Sequence, residues 1–68
     1  MIIKNVSIEN LFLQAVDFEK KGNLLKAQSI YKKIIKINSQ LPKVYYNLGN
    51  ILKDLGEYKK AINCYERV

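Results

Sequence analysis

The stretch YYNLGNILKDLGEYKKAINCY, Tyr45 to Tyr65, decides how this chain folds. Leu48, Ile51, Leu52 and Leu55 recur at helical spacing, so the part before Gly56 reads as an amphipathic helix. Gly49 sits inside that helix, where glycine costs about 1 kcal/mol relative to alanine. Gly56 ends the helix, because glycine readily takes the left-handed conformation of a helix terminus. A second helix then starts near Tyr58 and is expected to run to the end of the chain. Two helices joined by so short a link must pack antiparallel.

The pattern occurs twice. Sliding the chain by 34 residues aligns Gly22 with Gly56, Lys26 with Lys60, Ala27 with Ala61 and Tyr31 with Tyr65. Similar types fill further slots, pairing Leu11 with Tyr45, Ala15 with Gly49, Phe18 with Leu52 and Ile34 with Val68. The first unit therefore reads as helices over residues 8–21 and 24–37, with Ser7 as N-cap of the first. Asn38, Ser39 and Gln40 form a polar connection, and Pro42 fits the first turn of the third helix. The fold expected is all-α: four helices in two antiparallel helix-turn-helix repeats, stacked as an α-solenoid. Residues 1–7 form an N-terminal segment, 8–41 the first repeat and 42–68 the second, which reads as cut short. The small pairs Ala15 with Ala27, and Gly49 with Ala61, are expected to let the helix backbones approach closely. On that reading Gly49→Leu breaks the pairing and Gly49→Ala is tolerated.

Composition removes several function classes. The 68 residues contain no histidine and one cysteine, Cys64, so no intrachain disulfide forms and the commonest general base and zinc ligand are missing. No metal, cofactor or catalytic residue is expected. No apolar run approaches the ~20 residues of a membrane span, and MIIKNVS lacks the features of a signal peptide; these absences point to the cytoplasm. The net charge of +6 concentrates in the second helix, where Lys26, Lys32, Lys33 and Lys36 stand in a segment without an acidic residue. A solvated helix face is preferred over a nucleic-acid footprint, since neither arginine nor a glycine-rich loop accompanies the lysines.

Tyr45, Leu48-Gly49, Leu52, Gly56, Tyr58, Ala61 and Tyr65 together resemble the tetratricopeptide repeat. Leu11, Ala15, Phe18, Gly22, Ala27, Tyr31 and Ile34 make the first unit a weaker copy, with Gln14 where the family has leucine and Ser39 where it has proline. The resemblance implies a protein-interaction scaffold that binds a peptide or partner helix on its concave face, without catalysis. It also implies that the first helix of each unit lines that face. The slots are Glu9, Phe12, Leu13, Val16 and Glu19 in one unit, and Lys43, Tyr46, Asn47, Asn50 and Lys53 in the other. Of these Phe12, Val16, Glu19, Tyr46, Asn47, Asn50 and Lys53 are the candidate partner-binding residues. Asn47 occupies a slot where some relatives grip a peptide backbone, and an amide can donate and accept at once. The carboxylate clamp of chaperone-binding relatives does not fit, because Phe12 and Val16 stand where it needs lysine and asparagine.

Phe12, Leu13 and Val16, with Ile8, Leu11, Ala15 and Phe18, make the first helix apolar on nearly every side. Either residues 1–6 fold back over it, or it forms a groove wall for a partner's side chains. Cys64 reads as a buried, inert thiol. The unfinished end suggests a longer protein or association with a second copy. Units with a stretch like LFLQA also resemble those preceding glycosyltransferase, sulfotransferase or methyltransferase domains, which gives an alternative role as an accessory module of such an enzyme.

Overall fold

The computed structural model describes residues 7–68, so the expectation that residues 1–6 cover the first helix lies outside it. Four helices follow in order: α1 Ile8–Lys20, α2 Leu24–Ile37, α3 Pro42–Asp54 and α4 Tyr58–Tyr65. No strand occurs among the described residues. Helix α1 packs on α2, α2 on α3 and α3 on α4, giving a slab of 43 × 26 × 13 Å.

Each helix starts and stops for a local reason. Ser7 Oγ accepts from the Asn10 N–H at 3.2 Å, and Asn23 Oδ1 does the same for Lys26 at 3.4 Å, so α1 and α2 are side-chain capped. Pro42 opens α3, where its missing N–H has no partner to lose. Helices α1 and α3 end identically. Gly22 and Gly56 take φ of 81° and 83°. The N–H groups of Gly22 and Asn23 bond back to Glu19 and Phe18; those of Gly56 and Glu57 bond to Lys53 and Leu52. That double closure satisfies the orphan carbonyls of both helices, 34 residues apart. Helix α4 stops at Tyr65, earlier than expected. Arg67 and Val68 donate to the carbonyls of Cys64 and Tyr65, so the last turn tightens to three-residue bonds.

Ala15, Ala27, Tyr31, Ile34, Val44, Leu48, Ile51, Leu52 and Ala61 form one buried cluster. All four small residues of the expected crossings are buried. What faces Gly49, however, is an aromatic ring. A Cβ placed there would lie 2.7 Å from Tyr65 Cε1 and 2.9 Å from Cδ1. The expectation that alanine is tolerated at Gly49 is therefore corrected to this extent: the Tyr65 ring must move first. Helix α1 also departs from the all-round apolar reading. Glu9, Asn10, Gln14 and Asp17 make one side polar and exposed, and Leu13 remains 60% exposed.

Candidate functional site

The candidate residues lie on the first helix of each pair, α1 and α3, and α2 packs against both. Phe12, Val16 and Glu19 lie at i, i+4 and i+7 along α1, which puts them on one stripe. Tyr46, Asn47, Asn50 and Lys53 occupy the matching stretch of α3.

The aromatic packing repeats with the sequence. Phe12 meets Tyr31 edge-on at 5.8 Å between ring centres, and Tyr46 meets Tyr65 at 6.1 Å. Both pairs are related by the same 34-residue shift. Phe12 is half-buried and Tyr46 is 53% exposed.

Tyr31 joins three helices. Its ring is fully buried, and its hydroxyl donates to Glu19 Oε1 on α1 at 2.9 Å. Asn47 Nδ2 on α3 donates to the same oxygen at 3.0 Å. The directions are forced, because a carboxylate only accepts and so the phenol has one lone-pair side left for the amide. Burial raises the Tyr31 phenol well above its ordinary value. The Asn47 bond opposes that rise, while the Glu19 bond and charge add to it.

Tyr65 behaves differently. Its hydroxyl donates to Asn50 Oδ1. The slot equivalent to Glu19 holds Lys53, which cannot accept, and the slot equivalent to Asn50 holds Val16. Each tyrosine has taken an acceptor that the other repeat lacks.

Three candidate residues are thus already engaged. Asn47 spends one N–H on Tyr31 and keeps its second N–H and its carbonyl Oδ1, so one donor and one acceptor remain. Asn50 has its Oδ1 occupied by Tyr65. Val16 is half-buried between Phe12 and Glu19 along the stripe, and Lys53 is exposed. A cleft of about 500 Å³ is lined by Ile8, Glu9, Phe12, Leu13, Leu41 and Lys43 with Val44. Lys43 Nζ lies over the Phe12 ring at 5.6 Å.

Tyr31 went unrecognised as part of the site because its aromatic slot is explained by packing alone. The available signal was that a buried phenol needs hydrogen-bond partners, and only the groove-facing stripes offered them. The lysines of α2 stand apart. Lys32, Lys33 and Lys36 border a shallow depression with Leu25, Gln28 and Ser29, while Lys26 stacks over Phe18 at 5.3 Å. Cys64 is half-buried; burial raises its thiol, opposed by Arg67 and Lys32. Among the described residues no group of three His, Cys, Asp or Glu side chains converges, and no helix is long and apolar enough to cross a membrane.

Residues 42–68 match the sequence model of the tetratricopeptide repeat. A TPR repeat-containing protein of Methanocaldococcus jannaschii is 34% identical, over 98% of this chain and 12% of its own length. The chain thus spans about an eighth of the curated relative it matches. Helix pairs whose first helices end on the same glycine closure and whose aromatic contacts recur 34 residues apart, the second pair matching that repeat, support assignment of the chain to the tetratricopeptide-repeat family.

Proposed function

We propose that this chain is a protein-interaction module whose α1–α3 groove holds an extended peptide or a partner helix. Repeats of this family are in general protein-interaction motifs. What supports the reading is the exposed apolar surface on α1 and α3. Phe12, Leu13 and Tyr46 remain partly or largely open beside a fixed Glu19–Tyr31–Asn47 hydrogen-bond chain. Apolar side chains next to oriented polar groups are what a recognition groove requires. The repeats divide the partner-binding residues as Phe12, Val16 and Glu19 against Tyr46, Asn47, Asn50 and Lys53.

The alternative is an accessory module of a transferase-type enzyme. In both cases the groove makes the contact.

The test is photocrosslinking in cells, from a reactive side chain placed at position 46 or 12, with position 25 on the opposite face as control. The same partner captured at 46 and 12 and missing at 25 supports the groove. Capture at 25 alone contradicts it.

A further inference from the structure

Resting on that groove reading, we propose that Glu19 and Asn47 form an acceptor pair that receives an arginine side chain from the bound polypeptide. Three observations carry the inference.

The first is the forced polarity of the hydrogen-bond chain. Tyr31 donates to Glu19 and accepts from Asn47, so its hydroxyl is filled in both directions. Glu19 keeps its second carboxylate oxygen and Asn47 keeps its carbonyl oxygen, both acceptors. Neither is sealed away, because no buried side-chain oxygen or nitrogen lacks a partner. Both head groups end on one phenol, so the two acceptor-bearing groups are neighbours. A guanidinium presents several N–H donors in a planar fork and can serve two neighbouring acceptors, which a single compact ammonium does less well.

The second is a missing cation. Among the described residues, Asp17 pairs with Lys21 at 3.0 Å and Glu57 with Lys60 at 3.1 Å. Among the described residues Glu9, Glu19, Asp54 and Glu66 make no such pair, and of these four only Glu19 is not exposed. A half-buried carboxylate held by one phenol is the charge that a ligand cation would complete.

The third is the wall beside it. Val16, half-buried, lies between Phe12 and Glu19 on the stripe, while the Phe12 face itself is taken by Lys43 at 5.6 Å. An aliphatic side chain leading to a carboxylate matches the apolar stem and charged head of arginine.

The chemistry is the reverse of a carboxylate clamp: the groove reads donors and repels acids at this position. The test uses the full chain, ¹⁵N-labelled, and acetylated, amidated pentapeptides of sequence Ala-Leu-X-Leu-Ala with arginine, norleucine or glutamate at X. The expected result is that the arginine peptide shifts the Asn47 side-chain amide signals and binds about tenfold tighter than the norleucine peptide. Glu19→Gln keeps an oxygen for the Tyr31 bond and removes the charge, so it should abolish that preference with the fold unchanged by circular dichroism. Equal binding of the arginine and norleucine peptides, or preference for glutamate, would overturn the arginine site while leaving the groove in place. Perturbations confined to α2 and α4 with all three peptides would remove the groove reading as well.

Discussion

At the residue scale, two side chains set the character of the groove. Tyr31 is buried, and its phenol lies above the ordinary value of 10.0, mainly through desolvation. A raised folded value means that the unfolded chain loses this proton first as pH climbs. Stability from this group is therefore complete below pH 10 and declines above it, by up to about 1.4 kcal/mol per pH unit. Tyr31→Phe should flatten that alkaline decline in chemical denaturation, while lowering stability near neutrality by roughly 1–3 kcal/mol as Glu19 and Asn47 lose their shared partner. An unchanged alkaline slope in the variant would contradict the role given to Tyr31. Gly49 is the second case. Alanine there regains about 1 kcal/mol of helix propensity but drives Cβ into the Tyr65 ring. Overpacking of this kind costs about 1–3 kcal/mol, so a net loss of about 1 kcal/mol is expected in thermal unfolding. Gly49→Leu should lose about 3 kcal/mol or more. Shortening Tyr65 to leucine should relieve the alanine variant; a loss that persists would mean the ring is not the obstacle. The need for a small residue at Gly49 was legible from helical spacing. Its partner was not, because a sequence offset locates a residue along the helix but not the direction in which a tyrosine ring swings.

At the element scale, most of the structure could be read directly. Helix α2 spans the residues expected, α1 and α3 end at the glycines expected, and Ser7 and Pro42 stand at the starts assigned to them. Such signals are local: a cap hydroxyl, a fixed proline φ and a glycine at a left-handed position act within one turn. The end of α4 was missed because helical spacing carries through Glu66 and Val68, whereas the bond pattern depends on how many N–H donors follow. Gly22 and Gly56 have nothing within 4 Å of a built Cβ, so substitution there acts on the backbone alone. Gly22→Ala and Gly56→Ala should each cost about 1–2 kcal/mol by thermal unfolding, nearly equally, and trimming Tyr65 should rescue neither. Unequal losses would show that one terminus depends on packing rather than on its positive φ.

Across the whole molecule, the two helix pairs meet along the α2–α3 seam. Val44, Leu48 and Ile51 supply that seam on α3, whereas their 34-residue counterparts on α1 are Asn10, Gln14 and Asp17. The polar edge of α1 is thus unsuited to the role α3 plays, and a second copy stacking its α1 on α4 would bury three polar side chains without partners. The candidate groove was half legible. The helix spacing placed Phe12, Val16 and Glu19 on one stripe and the repeat placed Asn47 opposite, but the hydrogen-bond chain through Tyr31 needs three helices in position before it exists. That chain makes the two pairs a single unit in this account. Native-state amide hydrogen exchange examines the point most directly. The account predicts that the slowest amides of α2 and α3 open together with one free energy, and that Tyr31→Phe leaves that shared behaviour weakened in both helices. Separate opening energies for the α1–α2 and α3–α4 pairs would contradict it.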